Sequence, residues 1–515
     1  MAQEQSTATE QTTSELIADR RAKLAKFRDE LGIHPYGQRI DDKISLKQAK
    51  DVYSQEADDK HKADKEVDDR PHARVTGRVM LHRVMGNLIF MTLRDESGDL
   101  QIAVSKKAVG LTCFKAAKFV TLGDIVFAQG KIGKTKTQEI TCWAQGDEGF
   151  TLATKSLAPP PSKWDGLKDA ELRYRKRYVD MYTNPEVIQT FQWRSKIVNE
   201  TRKFMDSRSF LEVETPMLHP IAGGAAAKPF TTHHNTLDMQ LYMRIAPELY
   251  LKRLLVGGMP RVFEINRNFR NEGVDRSHNP EFTAMEVYQA FGDYMSMMEL
   301  TESLIRHLAT IVAKDKNGDA SAVIEWDGHQ IDYGKPFRKV TYADLFEEAN
   351  GFSIFEFDRV REKAAELNLK YQDMDDWLVV NEVFEATAEG GLIQPTFVMD
   401  YPSVISPLTR PRRDDDRLCE RWDLFIGEME IGPAYTELND PDIQEEKFTQ
   451  QLQGQDADES TFRNLDHDFL EALRVGMPPA GGLGLGIDRL VMLLTGQRSI
   501  RDVILFPLMR TENRE

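Results

Sequence analysis

RVFEINRNFRNEGVDRSHNPEFTAMEVYQAF, running from Arg261 to Phe291, is the stretch that decides the fold. It reads as a long β-hairpin. Alternation along the first arm puts Val262, Glu264, Asn266, Asn268 and Arg270 on one side, and along the second arm Phe282, Ala284, Glu286 and Tyr288 share a side. Burying Glu286 and Arg270 among apolar neighbours costs several kcal/mol for each unpaired charge, as an order of magnitude. Such a face needs compensating partners, and an ionic ligand supplies them; the competing reading is a solvated polar face.

A second stretch, GGLGLGIDRLVMLL from Gly481 to Leu494, places Gly482, Gly484 and Gly486 on one face of a strand. Without side chains there, a flat group can lie against the backbone. Asp488 is expected to cap the following helix, whose apolar residues are Leu490, Val491, Leu493 and Leu494, leaving Arg489 in the first turn. A purine ring with a guanidinium stacked on it suits that geometry. Close packing of two backbones is the alternative. The dinucleotide fingerprint is excluded, because the glycines lie within the strand and the acidic residue is missing at its spacing.

A chain of 515 residues suggests two or more domains. Cys113, Cys142 and Cys419 form no CxxC pair, so neither a disulfide framework nor a cysteine zinc site is indicated. No signal peptide or run of ~18 apolar residues is present. The expected location is therefore cytoplasmic, with no membrane partner. Net charge is −16, but residues 71–157 hold 12 Lys+Arg against 7 Asp+Glu, a balance of +5 that leaves −21 elsewhere. A locally basic module thus survives in an acidic chain and keeps a nucleic-acid partner possible.

That module reads as all-β. Ala73–Leu81, Ile89–Leu93, Leu100–Val104, Asp124–Lys131 and Glu139–Trp143 are short strands, with a helix near Thr112–Phe119 between the third and fourth. Five strands with a helix after the third is the order of an OB-fold barrel. Residues 1–70 form an extension in which Ser14 to Leu31 is helical, with Leu16, Ile17, Leu24, Phe27 and Leu31 as a sparse apolar stripe among basic residues. That helix either touches an RNA backbone or packs on the barrel. Pro159 to Pro161 and RYRKRY (Arg173 to Tyr178) mark a linker over 158–180, and about 315–389 is read as an insertion without chemistry.

The two opening stretches match the second and third motifs of the class II aminoacyl-tRNA synthetases, and the wording is closest to the lysine branch of that family. The resemblance runs from about Arg74 to Arg510. It includes GGAAAKPF with THHNTLD (Gly223 to Asp238), RIAPELYLKRL (Arg244 to Leu254), FRNEG, HNPEFT, YTELNDP and RDVILFP. A helix ending near Ser207, followed by FLEVETPML with Pro216 closing the strand, resembles the first motif. Ile197, Thr201, Phe204 and Met205 mark its buried face. In the family that surface helps build a two-fold dimer.

The resemblance implies an α+β chain: a five-stranded OB-fold barrel at 71–157 that reads an anticodon, then a class II catalytic domain at 181–515, an antiparallel sheet flanked by helices. It implies a ligase that activates L-lysine with ATP and transfers it to the 3′ end of tRNA(Lys). Arg270 and Arg489 match the catalytic arginines; Glu272, His278, Asn279 and Phe282 match positions around ATP. Glu430 and Glu437 match carboxylates near ATP that hold Mg²⁺, and no His/Cys cluster suggests zinc. Their odd separation would point them to opposite faces of an unbroken strand, so Gly432 and Pro433 are expected to supply a break. Gly224, Glu248, Glu286, Tyr288, Tyr435 and Glu437 match the lysine pocket, and Arg78, Arg83, Phe90, Gln101 and Glu139 the anticodon contacts. An isolated Phe in a strand is usually core, so the stacking role of Phe90 rests on the resemblance. Two positions depart from the family: Pro433 stands where lysine enzymes usually carry Asn, and Lys228 where Arg is frequent. A neighbouring aspartate or asparagine enzyme, a relative that attaches lysine to a protein, and a non-catalytic RNA-binding derivative are the competing readings.

Overall fold

The computed structural model describes residues 2–37, 39–161, 167–225, 227–318, 320–452 and 466–511. Part of the expected linker (162–166), Ala226 of GGAAAKPF and the last four residues lie outside them. The chain divides into two compact units, Met1–Gln189 and Thr190–Glu515.

In the first unit β1 (His72–Met85), β2 (Leu88–Asp95), β3 (Gly98–Ser105), β4 (Ile125–Lys134), β5 (Ile140–Ala144) and β6 (Phe150–Thr154) form one sheet in the order β1-β2-β3-β5-β4-β6. β1 closes the barrel because it pairs twice, His72–Arg78 with β4 and Arg78–Met85 with β2, across a bulge between Val79 and Leu81. Gly77 permits the bend: a Cβ there would approach Leu93 Cβ to 2.8 Å. Ala73, Val75, Val79, Met91, Ile102, Val126 and Cys142 point inward at alternating positions. The helix Lys106–Phe119 lies between the third and fourth strands, as expected, but starts earlier and kinks at Gly110 (φ 74°). β6, added beside β4, was not anticipated.

The N-terminal helix spans Ala2–Asp29 and packs on the barrel, with Phe27 in its core and Arg20 donating to the carbonyls of Leu122 (2.9 Å) and Ser156 (3.1 Å). Of the linker, Ala170–Arg175 and Arg177–Thr183 are short helices, pinned by a buried Arg177–Asp180 ion pair at 2.9 Å.

In the second unit, β7 (Leu211–Glu212) begins the main sheet. A small sheet of β8 (Leu218–His219), β9 (Thr231–His234) and β10 (Met239–Met243) follows, then β11 (Arg261–Phe269) and β12 (Glu281–Ala290), the expected hairpin. β13 (Val323–Trp326) and β14 (His329–Asp332) pair with each other. β15 (Arg338–Thr341), β16 (Thr396–Met399), β17 (Arg421–Ile426), β18 (Met429–Thr436) and β19 (Ala480–Gly486) complete the main sheet, ordered β15-β16-β17-β18-β19-β12-β11-β7. Its pairings are antiparallel except at the two ends.

One face of this sheet is core. Phe263, Met285, Val287, Leu483 and Leu485 pack with Phe204 and Met205 of the helix Pro185–Ser207, Leu304 and Leu308 of Tyr294–Asn317, and Leu490 and Leu494 of Ile487–Thr495. The opposite face, with the intervening residues of the same strands, is left for a ligand. The region about 315–389 is not a mere appendage, since β15 extends the sheet in parallel with β16 and three helices (Tyr342–Asn350, Phe357–Glu366, Asp376–Thr387) build a separate core around Tyr342, Phe346 and Phe384.

Candidate active site

A cavity of about 690 Å³ opens on that second face, a size suited to a small-molecule ligand. Its floor follows from register. Asn268 pairs with Phe282 and Asn266 with Ala284 across β11 and β12, while Ala284, Glu286 and Tyr288 pair with Gly486, Gly484 and Gly482 of β19. The alternating sets of the two stretches therefore form one continuous surface. The three glycines serve it differently. A Cβ at Gly484 would find only Pro433 Cδ at 3.9 Å, so this position is open floor, whereas one at Gly482 would fall 1.8 Å from Glu437 Oε1 and 2.7 Å from the Tyr288 ring.

At one end stand Glu248, Glu286, Tyr288, Tyr435, Gly224 and Arg421. Tyr288 donates to Glu286 Oε2 at 3.3 Å. Burial, reinforced by Glu248, pushes the Glu286 carboxyl up to about 8, against the pull of Tyr288, Arg244 and Arg270. Burial and the nearby carboxylates Glu248, Glu286 and Glu437 also raise the Tyr288 phenol, so it stays a donor. Gly224 sits at φ 87°, where its missing Cβ leaves room beside Ala246 and Glu248. Arg421 and Lys252 escaped the sequence reading. Arg421 is gripped by Asp423 through two bonds of 2.6 and 2.8 Å and lies 5.7 Å from the Tyr435 ring centre. Lys252 is wholly buried behind the wall, with Nζ 2.6 Å from Glu248 Oε1 and 2.5 Å from Glu437 Oε2.

At the other end Arg270 lies over the Phe282 ring, 5.2 Å from its centre, and forms no ion pair among the described residues. Its Nε, Asn268 Oδ1 and Asn279 Oδ1 are buried without partners, three cavity-lining atoms that a polar ligand would satisfy. Arg489 donates to the carbonyls of Glu430 (2.5 Å) and Ser277 (3.4 Å) and to His278 Nε2 (2.9 Å). That leaves His278 Nδ1 to carry its proton toward Asp275 Oδ2, 2.7 Å away. Glu272 accepts from the Lys228 amide at 3.3 Å, joining the two loops over this end.

Asp488 does not cap the helix. Gly486 is the N-cap, and Asp488, buried in the first turn, accepts from the Thr283 amide (2.7 Å) and Arg194 (2.5 Å), locking the helix to β12. These partners lie far away in sequence.

The structure seats Glu430 and Glu437 differently. β18 carries a bulge, with Leu424 opposite Gly432 and Phe425 opposite Glu430, so Ile431 is the extra residue. Glu430 is exposed on the cavity wall, while Glu437 is buried beside Gly482, against Lys252. Glu385 and Glu389 lie within electrostatic reach of Glu430, and Glu389 is pushed up to about 7 by burial, then by Glu385, Glu430 and Asp423. Among the described residues no group of three or more His, Cys, Asp or Glu forms a metal cage.

On the barrel, Arg83 pairs with Phe90, Phe90 with Ala103 and Ala103 with Trp143, one row across the outer face; Gln101 pairs with Thr92 and accepts from Thr141 Oγ1 at 2.9 Å. The Trp143 ring meets Phe90 edge-on at 6.2 Å and adds an aromatic group that the sequence reading missed. Glu139 is exposed before β5. Arg78 is drawn aside, donating to the Gly123 carbonyl (2.7 Å) and stacking on Tyr182.

Two families match this chain: "tRNA synthetases class II (D, K and N)" over residues 169–510 and "OB-fold nucleic acid binding domain" over 73–146. It is 46% identical to a lysine–tRNA ligase of Carboxydothermus hydrogenoformans, over 97% of this chain and 99% of that protein. Similar relatives are the lysine–tRNA ligases of Magnetococcus marinus (43%, over 99% and 100%) and Staphylococcus aureus (46%, over 95% and 97%).

Proposed function

The chain belongs to the class II tRNA synthetases, among the lysine–tRNA ligases, and from that premise we propose how its residues divide the work. The protein activates lysine with ATP and charges tRNA(Lys). The lysine carboxylate attacks the α-phosphorus and pyrophosphate leaves; a ribose hydroxyl at the tRNA 3′ end then attacks the adenylate carbonyl and AMP leaves. Neither step requires a protein nucleophile, so the site supplies alignment and charge neutralisation.

The observation that carries this reading is one cavity lined both by Glu286 of β12 and by Arg270, the residue just past the end of β11. Arg270, without an ion pair among the described residues, meets the α-phosphate through its guanidinium fork. Phe282 and Arg489 enclose adenine; Glu272, His278 and Asn279 line the same end. Glu286 and Tyr288 receive the side-chain ammonium of lysine, with Gly224, Glu248, Tyr435 and Glu437 around it. Glu430 fits Mg²⁺ as a carboxylate beside the phosphates, which would complete a shell of hard oxygen ligands and spread charge when the ion is bound. Glu437 does not fit that role, because its carboxylate holds Lys252 at 2.5 Å.

On the barrel, Phe90 and Trp143 offer stacking surfaces for unpaired anticodon bases, with Arg83, Gln101 and Glu139 at the edges. Arg78 supports that face through its bond to the Gly123 carbonyl. We place the enzyme in the cytoplasm as a homodimer formed through the first motif. The exposed Leu211 on the edge strand β7 supports the dimer, and buried free cysteines together with the lack of any described helix able to cross a membrane accord with the location. The test is ATP–pyrophosphate exchange with each of the twenty amino acids. Exchange with lysine alone is expected, and a second amino acid of equal rate would overturn the pocket assignment.

A further inference from the structure

We propose that Lys252 is the resident counter-cation of the amino-acid subsite, a positioning residue that ties Glu248 to Glu437 and sets the pocket's charge for a substrate with two ammonium groups. This rests on the reading of Glu248, Glu286 and Tyr288 as the lysine end of the cavity.

The geometry is specific. Lys252 lies four residues after Glu248 on the helix Glu248–Val256, so both side chains share one helix face. Its ammonium is 0% exposed, 2.6 Å from Glu248 and 2.5 Å from Glu437, and 6.0 Å from the Phe469 ring centre. Burial would push the ammonium down, but the two carboxylates outweigh it and hold Lys252 charged. Glu437 reaches it only because position 482 is glycine, since any Cβ there would overlap Glu437 Oε1. An apolar side chain at 252 with apolar partners would fill this space without desolvating three charges, so packing alone does not account for the arrangement.

The charge count gives the arrangement its meaning. Three carboxylates, Glu248, Glu286 and Glu437, gather around Tyr288, and Lys252 is the one cation in ion-pair contact with any of them among the described residues. In the lysine-bound state, where the substrate's ammonium groups favour the ionised form of all three carboxylates, −3 and +1 leave −2. Lysine whose carboxylate has been converted to the adenylate presents two ammonium groups to that end and cancels the charge. An amino acid with a neutral side chain presents one, leaving a buried carboxylate bare, which a low-dielectric site penalises heavily.

The count makes a distinctive prediction about pairs of substitutions. Lys252→Met leaves −3 and Glu437→Gln leaves −1; each is expected to raise the lysine KM roughly 100-fold in ATP–pyrophosphate exchange, with the ATP KM within about twofold of wild type. Lys252→Met/Glu437→Gln returns the count to −2 and is expected to recover at least about tenfold of the lost lysine KM, a non-additivity measurable as a double-mutant cycle. A double variant that melts like wild type yet shows additive losses overturns the proposal in favour of a purely structural pair. If Lys252→Met does not fold, the double variant against Glu437→Gln alone still decides, because the count requires the double to bind lysine better. Glu286→Gln is the control for the underlying reading: an unchanged lysine KM would remove the subsite itself, and the proposal with it, whereas a raised KM with additive Lys252 and Glu437 effects would remove only the role of Lys252.

Discussion

Phe282 and Glu286 stand four residues apart on one face of β12, about 13 Å along the strand, yet their surroundings are opposites. Around Glu286 charges are buried and largely pre-paired, with Lys252 between Glu248 and Glu437 and Arg421 clamped by Asp423. Around Phe282 the cations are not neutralised by carboxylates among the described residues: Arg270 rests on an aromatic ring, and Arg489 is held by the carbonyls of Glu430 and Ser277 and by His278. The contrast follows from what each end receives. A phosphate brings strong acceptors that reward unpaired guanidinium donors. An ammonium must instead be told apart from other side chains, and selectivity comes from a buried carboxylate that is costly to leave unmatched.

The sharpest break of this contrast is Arg270→Ala. Loss of the arginine facing the α-phosphate is expected to slow adenylate formation by about 10³-fold while tRNA binding, measured by filter retention, stays within about twofold. Equal loss of both would mean a damaged fold instead. Next in size is Glu286→Gln at the other end, expected to raise the lysine KM roughly 100-fold and leave the ATP KM unchanged. A matching rise in the ATP KM would show that the two ends are not separable.

Much of this was legible beforehand, and the exceptions share a cause. The hairpin and the bare strand follow from alternation, a property of each segment alone, and so do the five barrel strands. Lys252 was not legible, because a lysine four residues after a glutamate on a helix reads as a solvated surface pair until Glu437 arrives from another element. The bulge at Ile431 is likewise set by the register of β17. Asp488 looks like a helix cap from its neighbours, but its partners are Thr283 and Arg194. About 315–389 read as an insertion without chemistry because β15 joins the sheet only at its edge, beside a strand some sixty residues later in the chain. Pro433, a departure from its relatives, accords with the sheet: pairing of β18 with β19 covers Ala434 to Thr436 and stops short of Pro433, which has no amide hydrogen to give.

A smaller effect separates the catalytic sheet from the barrel. Phe90→Ala removes one stacking surface worth about 1 to 3 kcal/mol per base, so the tRNA KM in charging is expected to rise about tenfold with lysine-dependent pyrophosphate exchange unchanged. An unaltered charging rate would end the anticodon assignment. Trp143→Ala should act in the same direction if the two rings share bases, since they already touch edge to face.

A last expected effect is a pH dependence confined to the lysine end. The empty pocket holds the Glu286 carboxyl up to about 8, mainly through burial and then through Glu248, so below that pH the group is predominantly neutral. The side-chain ammonium of lysine keeps its proton to about pH 10, and it favours the ionised carboxylate. Capturing lysine below pH 8 therefore expels a proton from Glu286. It follows that kcat/KM for lysine should climb as pH rises from 6 toward 8, by at most about tenfold per unit, and then level off. The kcat/KM for ATP should lack this limb, because Glu286 stands among the groups that receive lysine and not among those that receive ATP. In Glu286→Gln the lysine limb should shrink and move down toward about 7, where burial, helped by Glu248 against the pull of Lys252, holds the Glu437 carboxyl; a limb unchanged there would assign the proton to a group other than Glu286.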